Sequence, residues 1–209
     1  MLMKRKGFTL IELLIVVAII AILAAIAVPN FLEAQIRSKV SRIKADMRSI
    51  ATAIESYAVD NNRVPRMVHT DFYPDDANHL PAPYTEAYGI LWWGLTTPVA
   101  YITRVDFIDP FQNTDTANRL DERRFTYQDI KKYKEEWGET PFWGPAQEYY
   151  GHWRLGSVGP DKQFAHGFSS SAQLAYDPTN GTISLGNIWR SQNRSDNDQP
   201  PEGPLLGAH

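Results

Sequence analysis

The stretch that decides the fold is KRKGFTLIELLIVVAIIAILAAIAVPN, residues 4–30. Between Phe8 and Val28 every residue is apolar except Thr9 and Glu12. A helix rises about 1.5 Å per residue, so this run is long enough to span the roughly 30 Å of hydrocarbon in a bilayer. A carboxylate at the centre of such a span costs about 2.5–3.5 kcal/mol, and less near its edge. The sequence therefore predicts one membrane-spanning helix in which Glu12 has a compensating role.

Two ordinary targeting segments share part of this pattern. Lys4–Lys6 supplies the positive end of a secretory signal peptide, and Ala25–Ala27 imitates its small-residue cleavage site. A plain signal anchor, with its basic end in the cytoplasm, fits the same charges. Neither alternative gives a reason for Glu12, because the apolar part of a signal gains nothing from an acid.

The motif KGFTLIE, residues 6–12, resembles the prepilin signal of type IV pilins and type II secretion pseudopilins. The resemblance implies a leader of residues 1–7, cleavage by a prepilin peptidase between Gly7 and Phe8, and N-methylation of Phe8. It also implies that Glu12 pairs with the terminal amine of a neighbouring subunit during filament assembly. Opposite charges attract strongly in a medium of low dielectric, whereas each charge alone is penalised there. Subunit addition would therefore relieve both charges.

Composition limits the part of the chain beyond the apolar run. The rest of the 209-residue chain suffices for one compact domain, expected at residues 30–190, with a tail at 191–209 predicted to be disordered. The chain has no cysteine, which excludes a disulfide. Residues 1–48 carry a net charge of +5 and the remainder −8. The acidic domain argues against a nucleic-acid partner. The basic residues just after the span fit a helix side that faces solvent or lipid headgroups.

An amphipathic helix is predicted to continue beyond Pro29. Apolar residues recur at helical spacing: Phe31, Ile36, Val40, Ile43, Met47, Ile50, Ile54 and Tyr57. One helix from Phe8 to about Asp60 would measure roughly 80 Å, and Pro29 is expected to kink it or melt it locally. The stripe fits packing on a sheet or pairing in a coiled-coil dimer. The resemblance favours the sheet and implies an α+β fold, in which a long N-terminal helix, transmembrane in its first half and amphipathic in its second, packs on a small antiparallel β-sheet.

The remaining segments are assigned from turn signals and alternation. Residues 64–90 are expected to form an irregular connection, since four prolines interrupt them. A short helix is expected near Leu91–Thr96, a turn at Asp109–Pro110, and an insertion into the sheet region at 112–147. Strands are predicted at Glu148–Val158 and Gly181–Arg190, where apolar and polar residues alternate.

A calcium site is the main candidate for bound chemistry. The stretch SVGPDK, residues 157–162, resembles the start of the calcium-binding loop in major pseudopilins of the protein G type. The resemblance implies Asp161 as a ligand, with Asp177 and main-chain carbonyls as further oxygen donors, since calcium takes about 6–8 of them. The chain departs from the family pattern in residues 162–176 and has Asn187 where an aspartate is usual. In the alternative interpretation both aspartates only shape turns.

No motif predicts catalysis, so the chain is not expected to be an enzyme. The histidines lie far apart in the sequence, which favours structural or exposed roles over zinc binding: His69, His79, His152, His166 and His209. The six tryptophans fit either buried contacts between helix and sheet or an exposed carbohydrate-binding surface. They are Trp92, Trp93, Trp137, Trp143, Trp153 and Trp189.

The function that the resemblance implies is structural. The chain would be a type II secretion pseudopilin, anchored in the inner membrane with its N-terminus in the cytoplasm and its domain in the periplasm. Copies of itself, other pseudopilins, the prepilin peptidase and methylase, an inner-membrane assembly platform and a secretion ATPase are the implied partners. The alternatives are a type IV pilus subunit for adhesion or DNA uptake, and a membrane-anchored binding module.

Overall fold

The computed structural model describes residues 8–112, 120, 123–138, 143–162, 175–179, 184 and 186–194. Its longest element is α1, which runs for 52 residues from Leu10 to Asn61 and confirms the predicted helix. The helix continues through Pro29, which removes one backbone donor without melting the chain there. It ends where Asn62 adopts a left-handed conformation with φ of 53°, a conformation that asparagine tolerates better than most residues.

The predicted apolar stripe becomes the helical wall of the core. Val40, Ile43, Met47, Ile50, Ile54 and Tyr57 are all buried. Ile36 packs at the edge of this cluster, but Phe31 is 63% exposed and lies outside it. Each fully buried aliphatic side chain of this kind contributes about 1.5–3 kcal/mol of transfer free energy. The stripe is therefore satisfied within one chain, as the sheet interpretation predicted, and does not need a coiled-coil partner.

The other wall is a five-stranded antiparallel sheet whose strands lie side by side in chain order. The strands are β1 (Met67–His69), β2 (Tyr88–Leu91), β3 (Thr126–Asp129), β4 (Trp153–Ser157) and β5 (Ile188–Ser191). The central pairing sets Thr126 opposite Gly156 and Asp129 opposite Trp153. Helices α2 (Ile130–Trp137) and α3 (Trp143–Tyr150) lie in the chain between β3 and β4. The long helix on a small antiparallel sheet is the α+β fold that was predicted.

Two segments interpreted as connections turn out to supply strands. Residues 64–90 contain β1 and most of β2, separated by a 3-10 turn at Pro74–His79. Residues 112–147 contain β3, the middle strand of the sheet, so the prediction of an insertion was wrong. The strands were missed because they are three or four residues long and their burial does not alternate: all of β1 and the first two residues of β3 are buried. Periodicity cannot identify a strand that short when both faces are covered.

Other predicted boundaries shift by a few residues. The helix expected near Leu91–Thr96 is a 3-10 turn at Trp93–Leu95, while the turn after Asp109 is present, with the Gln112 N–H donating to the Asp109 carbonyl at 3.0 Å. The first three residues of the strand predicted at Glu148–Val158 instead end α3. The predicted tail begins too early, because Ser191 is a buried strand residue. Residues 195–209 lie outside the described part of the chain.

Polar bonds between distant segments join the sheet to the helix and to the segment that follows the helix. The indole N–H of Trp153 donates to Glu55 Oε1 at 2.7 Å, and the Tyr127 hydroxyl donates to the Pro65 carbonyl at 2.6 Å. Trp153 and Trp189 are buried, as the packing interpretation of the tryptophans predicted, and Trp92 and Trp93 are partly buried. Trp137 is 43% exposed. Glu55, which the helical pattern places beside the stripe, thus has a tertiary role that its position in the sequence does not reveal.

Substitutions on the two sides of α1 test whether its apolar stripe packs within the chain. Ile43→Asp should abolish cooperative unfolding of the domain, because an unpaired buried charge costs a large part of the roughly 5–15 kcal/mol that stabilises a domain. Ala45→Asp, two residues along on the exposed side of α1, should change the free energy of unfolding by only about 0.5–1 kcal/mol. Circular dichroism during denaturant titration measures both. A folded Ile43→Asp domain that only fails to self-associate would revive the coiled-coil alternative.

Candidate functional site

The N-terminus of α1 is built as a reciprocal cap. Thr9 is the N-cap residue and its Oγ1 accepts the Glu12 N–H at 3.3 Å. In return, Glu12 Oε2 accepts the Thr9 N–H at 2.8 Å and the Thr9 hydroxyl at 2.7 Å. The carboxylate thus serves the N–H donors that a helix start leaves without an intrahelical partner, at the positive end of the helix dipole. In the single chain Glu12 therefore has a partner within its own helix.

This cap was missed at the sequence level, although Thr9-x-x-Glu12 is the usual signature of a capping box. Among the predicted processing residues, Phe8 is the first residue described and is exposed. Gly7 lies outside the described residues. The structure therefore places Phe8 beside the capped start of the helix, about one turn from Glu12.

The helix beyond this cap exposes apolar side chains on every side. From Leu10 to Leu32 no residue of α1 is buried. The segment is long and apolar enough to cross a membrane. Such a surface is stable only in lipid or against other apolar surfaces, because exposing it to water costs about 25 cal/mol per Å². It is the largest unsatisfied surface among the described residues.

One buried carboxylate joins the Asp109–Phe111 turn to the loop that carries Asp161. Asp109 Oδ1 accepts the Phe111 N–H at 2.8 Å and Oδ2 accepts the Val158 N–H at 3.0 Å. Burial raises the pKa of the Asp109 carboxyl above its ordinary value, and these N–H donors oppose that rise. The loop then turns tightly at Gly159, where φ is +75° and a Cβ would lie 2.2 Å from the Gly186 carbonyl oxygen. Sequence reasoning recognised the Asp-Pro turn but not that its aspartate holds this loop.

The two predicted calcium ligands have different surroundings. Asp161 is half-buried in the loop after β4. Asp177 is exposed, and its Oδ1 accepts the Thr179 hydroxyl at 2.7 Å and the Thr179 N–H at 2.8 Å. These two hydrogen bonds, the hydroxyl bond first, lower the pKa of Asp177. Asp177 therefore shapes a turn, as the alternative interpretation proposed for it.

A complete carboxylate cage is not seen in the described ranges. They hold no group of three or more histidine, cysteine, aspartate or glutamate side chains arranged for a metal. Residues 163–174, which separate the two aspartates, lie outside those ranges. Asn187, at the position where an aspartate is usual, is buried, and its main-chain carbonyl accepts the Tyr176 N–H at 2.9 Å. Calcium at Asp161 and Asp177 stays a prediction that main-chain carbonyls would have to support.

Calcium binding has a direct test. If the loop holds the ion, millimolar calcium should raise the melting temperature, because a ligand that binds only the folded state stabilises it by mass action. Asp161→Ala should remove that rise and leave a folded protein. Asp75→Ala, at an exposed aspartate in the 3-10 turn before β2, is the matched control and should keep it. Differential scanning fluorimetry with calcium and with magnesium measures the effect, and an unchanged melting temperature in calcium would contradict the site.

His69 has a structural role within the sheet. It lies on β1, is 2% exposed, and stacks on Phe72 with ring centroids 3.8 Å apart. Burial lowers the pKa of His69 from 6.5 to about 4, against the opposing effect of the Asp71, Asp76 and Glu136 carboxylates. The ring is therefore neutral at neutral pH. His152 is exposed, and His166 and His209 lie outside the described residues.

This burial predicts a pH dependence of stability. The pKa of His69 in the folded chain lies below 6.5, so its contribution is complete above that pH and is lost as the pH falls towards about 4. The loss should be on the order of 3 kcal/mol. His69→Phe should flatten the dependence of the free energy of unfolding on pH between these values, whereas His152→Phe should not. Urea titrations across this range are the measurement, and an equal slope in the His69→Phe variant would refute the assignment.

Comparison with known proteins bears on the N-terminal part of the chain. Residues 2–28 match the family described as the prokaryotic N-terminal methylation motif. The chain is 47% identical over 77 residues to the type IV major pilin protein PilA of Myxococcus xanthus, which is 37% of this chain and 31% of the relative. It is 53% identical over 59 residues to the type IV wide pilus major component PilA4 of Thermus thermophilus, covering 28% of this chain and 45% of the relative.

A secretion protein is also among the relatives. The type II secretion system core protein G of Pseudomonas aeruginosa is 42% identical over 62 residues, which is 30% of this chain and 44% of the relative. The alignments thus span less than half the length of these relatives. No solved structure matches the chain. The shared sequence is therefore limited, and it does not separate pilus subunits from secretion subunits.

Proposed function

We propose that the chain is a structural subunit of the type IV pilin-like family, and within it a type II secretion pseudopilin that polymerises into a periplasmic filament. Residues 2–28 match the prokaryotic N-terminal methylation motif, and the similar proteins include a named major pilin and a type II secretion core protein. The observation that carries this proposal is the joining of an exposed, wholly apolar helix to a folded domain through one continuous α1. Lipid covers the apolar half of α1 before assembly, and the helices of neighbouring subunits cover it in a filament. A domain with this anchor can leave the bilayer only by exchanging lipid contacts for subunit contacts.

The charged groups at the N-terminus set the register between neighbouring helices in the filament. Cleavage after Gly7 leaves a positive, methylated amine on Phe8 close to the capped start of the helix. The Glu12 carboxylate already accepts hydrogen bonds from the Thr9 N–H and hydroxyl. A neighbour's amine must therefore replace these donors or bind the carboxylate together with them. Pairing across subunits neutralises two charges inside an apolar core, whereas an off-register neighbour leaves the amine without a counter-charge and leaves Glu12 with only its own cap. Glu12 thereby favours one stagger between adjacent helices.

The same features assign the segments to compartments. Lys4–Lys6 keeps the leader, residues 1–7, in the cytoplasm under the positive-inside rule. Residues 8–29 span the inner membrane and later line the filament core. The domain of residues 30–190 is periplasmic. A prepilin peptidase and methylase, an inner-membrane platform, a secretion ATPase and other pseudopilins are the proposed partners, and nucleic acid is not among them.

Two features favour a pseudopilin over a pilus. The loop of residues 157–162, which resembles a pseudopilin segment, is held to the Asp109–Phe111 turn by the Asp109 carboxylate. The chain also has no cysteine and therefore lacks the disulfide staple of some pilins. The second candidate is a subunit of a surface type IV pilus, which the named pilins among its relatives favour. Immunogold labelling of intact cells discriminates, since a surface pilus is labelled and a periplasmic filament is not.

The decisive variant is Glu12→Leu. It should still insert and should still yield a chain that begins at methyl-Phe8, because the leader and the apolar run are intact. Filament yield should fall at least about tenfold, since one lost intramembrane charge pair exceeds about 1.4 kcal/mol. Crosslinking between adjacent N-termini and mass spectrometry of the mature N-terminus measure the two steps separately.

Two controls isolate the charge. Glu33→Leu makes the same chemical change on the same helix, where Glu33 pairs with Arg37 at 2.5 Å outside the span, and should retain filaments. Thr9→Val removes the hydroxyl of the cap but keeps Glu12, and should assemble better than Glu12→Leu. Normal filaments from Glu12→Leu would show that Glu12 acts in recognition by the processing enzymes instead. A mature chain that begins at Met1 would contradict the prepilin assignment itself.

A further inference from the structure

A cleft of about 510 Å³ opens at the C-terminal end of α1. It lies between the end of that helix, the segment around the 3-10 turn of Pro74–His79, and the start of α2. Ligand sites in proteins are commonly about 300–1,000 Å³. The apolar helix and the loop carrying Asp161 are not part of its lining. The cleft is therefore separate from the features that support filament assembly.

The wall of the cleft holds one cation in a fixed position. Arg66 Nη1 and Nη2 donate to the two carboxylate oxygens of Asp76 at 3.0 and 2.7 Å. Its guanidinium lies over the rings of Tyr73 and Trp92, 4.5 and 5.5 Å from their centroids. Asp76 is buried and also accepts the His69 N–H at 3.1 Å. Arg66 is thus pre-organised and its charge is matched, so it shapes the cleft and does not itself require a ligand.

The rim carries cations that are available. Arg63 is exposed, and within the described residues no carboxylate pairs with it. Lys131 meets Glu135 only at 3.8 Å, with side chains 68% and 55% exposed, and an exposed pair of this kind contributes about 0.2–1 kcal/mol. A stronger anionic partner can therefore take Lys131 from Glu135 at little cost. Asp129, the other acid in the lining, already caps α2 by accepting the Lys132 N–H at 3.1 Å.

We propose that this cleft binds an acidic peptide segment of a partner protein, with a carboxylate held between Arg63 and Lys131. The lining amide of Asn62 suits the peptide groups of such a segment, since a side-chain amide both donates and accepts hydrogen bonds. Gln192 Oε1 already accepts the His152 N–H at 2.8 Å, so Gln192 offers a peptide carbonyl its amide N–H groups. The proposal goes beyond filament formation and does not depend on it.

An acidic polysaccharide fits the same cleft less well. Sugar rings stack on free aromatic faces, but Tyr73 already has Arg66 and Lys132 over its ring, at 4.5 and 5.3 Å. Trp92 has Arg66 over its ring and makes an edge-to-face contact with Tyr57, with centroids 6.5 Å apart. The rings therefore serve to hold cations. A peptide carboxylate needs those cations and no stacking surface.

The test uses the full-length chain in neutral detergent micelles and a fluorescently labelled oligoglutamate peptide as the probe. Fluorescence anisotropy at low salt should show saturable binding that weakens as salt is added, because exposed charges are screened. A labelled oligoglutamine peptide of the same length should not bind. Arg63→Gln combined with Lys131→Gln should weaken binding about tenfold or more, as expected for the loss of charged hydrogen bonds.

The control removes the same charge elsewhere. Arg37→Gln combined with Arg42→Gln alters two exposed arginines near the other end of the domain. This pair should leave the affinity within about twofold of the original value, which corresponds to roughly 0.4 kcal/mol. Thermal unfolding confirms that each variant is folded. Equal weakening by both pairs would reduce the effect to net charge and overturn the site. Absence of oligoglutamate binding, equal binding of oligoglutamine, or binding of polygalacturonate alone would also overturn it.

Discussion

Half of α1 presents apolar side chains on all sides, and the other half presents them along one face, although a single helix runs through both. The first half is stable only in lipid or among like helices, whereas the second half requires a sheet from its own chain. A sheet of strands three to five residues long has little stability alone, so the helix stripe must supply much of its core. The domain and the apolar segment thus share one continuous helix.

Buried and partly buried carboxylates connect separate segments of this domain through hydrogen bonds, as disulfides do in other small domains. Asp109 holds the 157–162 loop, Asp76 holds Arg66 and β1, and Glu55 holds Trp153 to the helix. The Asp109 and Glu55 ties connect segments 49 and 98 residues apart, whereas Asp76 joins residues 10 and 7 positions away, in a chain without cysteine. Each tie also carries a risk, because removing one partner leaves a polar group without compensation in a region of low dielectric. Substitutions at these positions should therefore disturb loops and function before they disturb the apolar core.

The cap at Thr9 and Glu12 changes how assembly is to be understood. A carboxylate that already satisfies helix-start donors in the single chain does not enter the bilayer as a bare charge. Under the proposed function, a neighbour's amine adds to or replaces these bonds, so the driving force is the difference between two satisfied states. A modest difference of that kind makes addition reversible and selective for register.

The sequence by itself determined α1, its wholly apolar half, its buried face and the prepilin motif, because a long apolar run and a regular helical period are local signals. It also identified the turn at Asp109 and named Asp161 and Asp177 as candidate calcium ligands. Only the tertiary structure decided that residues 64–90 and 112–147 supply β1, β2 and β3, since strands so short and so fully covered carry no alternation. Only it decided that Asp177 bonds to Thr179, that Asp109 reaches Val158 49 residues away, and that Arg63 and Lys131 share one cleft. Those positions depend on how distant segments pack, and sequence spacing does not encode that packing.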